Sequence, residues 1–120
     1  VVQAANEAGS EFTLIHIHGA NTFFDTLAGY PAHAINWHDR RIGPDIPTAL
    51  AEQPDRSAVA GIDEHGIATA SPVGVREQVL QARDAAGDRR LLIGPGCVVL
   101  VATPMENLRA AVAAAWEPRG

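Results

Sequence analysis

Two histidines two residues apart, His16 and His18, close the apolar run Leu14-Ile15-His16-Ile17-His18, and the only cysteine, Cys97, closes another in Gly94-Pro95-Gly96-Cys97. In an extended segment residues i and i+2 point to the same side, so both imidazoles share one face. Zinc takes imidazole nitrogen at about 2.0 Å and thiolate sulfur at about 2.3 Å, and its catalytic sites use three protein ligands with one position open. His16, His18 and Cys97 supply that number if the two strand ends converge. A bound zinc would hold Cys97, or a substrate thiol in the open position, as a thiolate near neutral pH, a competent nucleophile toward an alkyl donor. If the ends do not converge, the histidines are ordinary polar residues, since a histidine pair on a strand is also common as hydrogen-bonded core or surface.

The other polar groups carry less. Asp63 and Glu64 follow a third apolar run and could be acid/base groups or simply cap the next turn. Trp37, His38 and Asp39 close a second run, with Trp37 read as wall packing. His33 and His65 fall in loops and are read as solvated. Met105 and Trp116 belong to the last helix, as core or interface.

Four repeats of strand, loop and helix must position these residues. The strands are Phe12 to His18, Ala34 to Trp37, Ala58 to Ile62 and Arg90 to Ile93. The helices run from Phe23 to Ala28, about Pro47 to Gln53, Val75 to Ala86, and from a Thr103 cap, with Pro104 at the first position and Glu106 completing a capping box, to about Trp116. Strands alternating with helices imply parallel pairing through right-handed crossovers. Four units fit part of an open doubly wound sheet, or half of an eight-stranded (β/α)₈ TIM barrel, whose functional groups sit at the carboxyl ends of the strands. His16, His18, Asp63 and Cys97 all fall at such ends, which favours the half barrel. Phe12 and Leu14 would line its interior with the histidines. Gly19-Ala20-Asn21 lacks the spacing of a dinucleotide fingerprint.

The composition narrows the function classes. The 120 residues and 47% hydrophobic content suit one globular domain. A formal charge of -5 without a basic patch argues against nucleic acid. All nine basic residues are Arg, which excludes a lysine Schiff base or P-loop lysine in this segment. No run approaches the roughly 20 apolar residues of a membrane span, and no signal peptide is present, so no membrane role is expected. A lone cysteine fits a reducing cytoplasm, the expected location. The opening Val1-Val2-Gln3 reads as the inside of a helix in a longer polypeptide.

Taken in order, Ile15-His16-Ile17-His18-Gly19-Ala20-Asn21, Ile35-Asn36-Trp37, Ala60-Gly61-Ile62-Asp63, Val75-Arg76-Glu77-Gln78-Val79, Ile93-Gly94-Pro95-Gly96-Cys97 and Thr103-Pro104-Met105-Glu106-Asn107 resemble the carboxyl-terminal half of the uroporphyrinogen decarboxylase superfamily over essentially the whole chain. That resemblance implies the last four units of a (β/α)₈ barrel, residues 1–120 forming its carboxyl-terminal half. The decarboxylases typically end the last strand Leu-Gly-His-Gly, where this chain has Pro95. The cobalamin-dependent methyltransferases of the same superfamily typically carry His-x-Cys-Gly on one strand and Gly-Cys after the last, binding zinc. His16 and Cys97 match that pattern and His18 replaces its first cysteine, leaving the zinc site one unit more positive.

The resemblance therefore implies a zinc-dependent methyltransferase-like enzyme. Zinc would sit on His16, His18 and Cys97, a methylcorrinoid (cobalamin) would be the donor, and a thiol or similar small molecule the acceptor. Asp63 matches the family's third-strand aspartate and is expected in the pocket. Expected partners are a corrinoid protein and the amino-terminal half of the barrel or a second copy. The alternatives are a uroporphyrinogen decarboxylase-like lyase and a truncated, non-catalytic half barrel.

Overall fold

Four short apolar segments pair side by side in the order in which they occur in the chain. The computed structural model describes residues 1–87 and 89–120. Strands β1 (Leu14–Ile17), β2 (Ala34–Trp37), β3 (Ser57–Ile62) and β4 (Leu91–Pro95) form one sheet of order β1-β2-β3-β4, every pair parallel. Between and around them lie α1 (Val2–Glu7), α2 (Phe24–Leu27), α3 (Ile46–Glu52), a 3₁₀ turn (Gly66–Ala68), α4 (Pro72–Ala86) and α5 (Met105–Ala115). A doubly wound sheet reverses its strand order at a switch point. The described strands show no reversal, so this α/β unit is compatible with one half of a closed barrel.

The two faces of the sheet differ. Ile15, Ile17, Ile35, Trp37, Ala58, Ala60, Leu91 and Ile93 pack with Phe24, Leu50, Ala82 and Ala86 into the core under the helices. Small side chains on β3 let α4 come close. At Gly61, whose φ is +110°, a Cβ would stand 2.6 Å from the Ala82 Cβ, so only glycine fits. A second cluster joins Ile62, Ile67, Val75 and Val79 to Ala111 and Ala114 of α5. There Asn107, wholly buried, donates to the carbonyls of Ile67 (2.7 Å) and Ala70 (2.9 Å) and fixes the loop after β3. On the opposite face Leu14 and Leu92 are 44% and 48% exposed. Between them Ala34 and Asn36 of β2 are buried, so this face is uncovered at its margins, although parallel sheets are normally covered on both sides.

Several boundaries differ from the sequence expectation. β1 starts at Leu14 because Phe12 and Thr13 are drawn to His33: the Thr13 N–H donates to His33 Nδ1 at 2.9 Å, and the Phe12 ring stacks on the imidazole. His33 is thus partnered, and Phe12 lies outside the strand. α4 starts at Pro72, earlier than expected, because Ser71 Oγ accepts the Gly74 N–H at 3.1 Å and proline fits the first turn. The capping box on Thr103 does not form. Thr103 N donates to Leu100 O at 2.9 Å and closes a turn, which shifts the cap to Pro104, a residue with no side chain able to accept. Met105 and Trp116 are 60% and 84% exposed, not core. No helix among the described residues is long and apolar enough to cross a membrane.

Candidate metal centre

Parallel register brings the histidines together. Leu14 pairs with Ala34 and His16 with Asn36, a constant offset, so the residues two further on, His18 and His38, emerge side by side at the carboxyl ends of β1 and β2. Cys97 follows β4 and turns back over the same ends. His16, His18, His38 and Cys97 each offer one ligand atom, and these atoms lie within 4.8 Å of one another. His18 Nδ1 stands 3.3 Å from His38 Nε2 and 3.6 Å from Cys97 Sγ. Donors bound tetrahedrally at zinc distances are about 3.3–3.5 Å apart for this set of three imidazoles and one thiolate, so an ion would require contraction of at most about 1.5 Å. The three residues expected from sequence are brought together.

His38 is the member that sequence reasoning missed. The signal was present as a repeat at an offset of 20: His16-x-His18 on the first strand answers Asn36-x-His38 on the second.

The surrounding groups fix how the rings are presented. The Asn36 amide nitrogen donates to Val59 O (2.7 Å) and Pro95 O (2.9 Å), tying β2 to β3 and β4. Its oxygen therefore faces His16 Nδ1, at 2.6 Å, and can only accept. His16 carries its proton on Nδ1, which leaves the Nε2 lone pair free. His38 Nδ1 lies 2.5 Å from Glu64 Oε1, so its Nε2 is likewise turned toward the cluster. A ligating histidine whose other nitrogen donates to a carbonyl or carboxylate is the usual outer arrangement of a metal site.

Glu64 is 1% exposed, a burial that a carboxylate tolerates only when paired. Besides His38 it has Arg41 Nε at 3.9 Å, while its Oε2 has no partner among the described residues. Gly96 makes the close approach of the cysteine loop possible. A Cβ there would stand 2.8 Å from Trp37 O and 2.9 Å from Glu64 Oε2.

The cluster opens on a cleft of about 370 Å³. Cys97, His18 and His38 form one wall, Arg41 and His65 are polar groups on the rim, and Ile42, Val98 and Leu100 are apolar. Asp63 is not among its lining residues. Its Oδ1 accepts the N–H groups of His65 (3.1 Å) and Gly66 (3.0 Å) and pairs with Arg41 Nε at 3.3 Å, so it shapes the turn that carries Glu64. Asp39 turns away from the cleft to accept the Gly61 N–H at 3.1 Å, and burial pushes its carboxyl up to about 6.

No sequence-family model and no curated protein matches the chain. Among solved structures it is similar to a methyltransferase from Methanosarcina mazei, with a TM-score of 0.77 at 20% identity over 95% of this chain. The chain spans 33% of that protein's length. The likeness is one of fold: this α/β unit is built like a third of that methyltransferase.

Proposed function

We propose that the chain is the metal-binding part of a zinc-dependent, methyltransferase-like enzyme of the uroporphyrinogen decarboxylase superfamily, a (β/α)₈ barrel of which it forms the carboxyl-terminal half. The observation that carries this reading is the cluster itself: four zinc-type donors converge, with the outer nitrogens of His16 and His38 held by Asn36 and Glu64.

His16, His18, His38 and Cys97 would hold the ion. When bound, zinc supplies the Lewis acidity that keeps a thiol deprotonated near neutral pH. The chain's own residues do the rest. Asn36 and Glu64 keep both imidazoles in the ligating tautomer, Ile42, Val98 and Leu100 offer the acceptor apolar contact, and Arg41 and His65 supply polar contacts at the rim. The methyl donor in this reading is a methylated corrinoid, carried by its own protein and approaching from outside a cleft that is small enough for the acceptor alone. Asp63 acts through the turn it shapes.

A second reading, a structural zinc in a non-catalytic unit, draws support from the count of four donors, since closed sites use four. The open cleft beside Cys97 favours catalysis. Metal analysis tests both: the chain is expected to bind one zinc per copy and to lose it in Cys97→Ser. A cobalt-loaded sample should change its visible spectrum on addition of a small thiol if the site is open, and should not if it is structural. Absence of stoichiometric zinc in the wild type would sink both readings.

A further inference from the structure

Of the donors that converge in the cluster, the histidines are used up by binding an ion and the cysteine is not. A neutral imidazole has a single ring lone pair, and a metal takes it. At His16 and His38 the other nitrogen is an N–H turned to Asn36 and Glu64. A thiolate sulfur gives a metal one of several lone pairs, so it stays a nucleophile while it is a ligand. Cys97 is therefore the group of the cluster that can ligate and react at once. The chain holds no other thiol and no lysine amine to compete with it.

Its setting points the same way. Cys97 is half-buried, with Sγ 3.6 Å from His18 Nδ1, and it lines the cleft beside Val98 and Leu100. That cleft lies at the carboxyl ends of the strands, the end at which barrels of this kind hold their open mouth. Behind the sulfur, Gly96 sets the loop against Oε2 of Glu64, a carboxylate 1% exposed whose Oε2 has no partner among the described residues. A buried carboxylate with a free oxygen calls for a cation close by, independently of the cysteine.

We propose that Cys97 is itself a modification site: an uncharged alkyl electrophile small enough for the cleft transfers its alkyl group to Sγ. The inference rests on the zinc reading above and adds a second acceptor to it. A carbon–sulfur bond forms as the bond from that carbon to its leaving group breaks, and the bonding pair departs on the leaving group. The sulfur is already a thiolate, so no proton moves and no oxidant or reductant is needed. The apolar walls of Ile42, Val98 and Leu100 suit such a reagent, and Arg41 on the rim disfavours a cationic one. The product is a neutral thioether, a weaker donor to zinc than the thiolate it replaces. The alkylated site is one unit more positive, and its ion is held chiefly by His16, His18 and His38.

Treatment of the zinc-loaded protein with iodomethane at neutral pH tests the site. The intact mass should rise by one methyl group, peptide mapping should place it on Cys97, and zinc should pass to a chromophoric chelator in step with the gain. The rate should exceed that of the zinc-free protein on the order of 10-fold, since a free thiol is only a few per cent thiolate near pH 7. Mapping is done on the wild type because Cys97→Ser is expected to lose its zinc. Zinc-loaded protein that stays unmethylated, that carries the methyl on a histidine, or that reacts no faster than the zinc-free form would overturn the proposal and leave the metal centre standing. Protein that binds no zinc removes the metal centre, and any methyl on its Cys97 is then the reaction of an ordinary thiol, which overturns the proposal as well.

Discussion

Histidines stand at both ends of the sheet and are used in opposite ways. At the amino-terminal ends, the Nδ1 of His33 accepts the Thr13 N–H at 2.9 Å and lies 3.0 Å from Thr13 Oγ1, while its ring stacks on Phe12 with centroids 5.8 Å apart. Its acceptor nitrogen is consumed by the backbone. At the carboxyl ends the reverse holds: His16 and His38 spend their protonated nitrogens on Asn36 and Glu64, and the remaining lone pairs converge with His18 and Cys97. A histidine count does not separate the two situations. What separates them is which ring nitrogen the surrounding structure occupies.

Breaking the carboxyl-terminal arrangement should have the largest effect. His38→Ala removes a ligand outright and is expected to weaken zinc binding by more than about 100-fold. Glu64→Gln keeps His38 but loosens the hold on its ring, and should cost about 10–100-fold, the usual effect of an outer partner. Competition against a chromophoric chelator measures both. Equal affinities for wild type and His38→Ala would remove His38 from the site and, with it, the role given to Glu64.

The contrast is sharpened from the other end. His33→Phe preserves the stacking on Phe12 but leaves the Thr13 N–H without its acceptor. The expected cost is about 1 kcal/mol of stability, a shift of about 4 °C in the melting midpoint for a chain of this length, with zinc affinity unchanged. A loss of zinc affinity in this variant would mean that the two ends are coupled through β1 and that the separation drawn above is wrong.

Much of the site was legible before the structure because strands and their ends leave local marks. The run Ala34 to Trp37 coincides with β2, and His16, His18 and Cys97, marked by residue type and by their place after apolar runs, lie together in the fold. What stayed hidden was relational. His38 gains its meaning only from the register that aligns it with His18, and Glu64 only from the turn that Asp63 makes. The capping box at Thr103 failed for the same reason: a turn closed by Leu100, invisible in a four-residue motif, moved the helix start by one residue. Asp63 and Glu64 could not be told apart by sequence as chemistry or cap. In the structure Asp63 makes the turn and Glu64 reaches His38.

The smallest effect should come from a pair that belongs to neither end. Arg76 donates to both carboxylate oxygens of Glu117, at 2.7 and 2.6 Å, linking α4 to the segment after α5. The hydrogen-bonded guanidinium holds the Glu117 carboxyl below its ordinary value of 4.5. A depressed carboxylate binds its proton more readily in the unfolded chain, so its contribution is present above that ordinary value and fades as the pH falls through the lower folded one. Both groups are solvated and salt screens them, so the contribution is slight. Melting curves of zinc-free wild type and Glu117→Gln should therefore differ a little at neutral pH and converge in acid. A gap that persists undiminished in acid would show that Glu117 acts through packing against α4 and not through its charge. Either way the variant should bind zinc as the wild type does, because the pair touches no residue that orients His16, His18, His38 or Cys97.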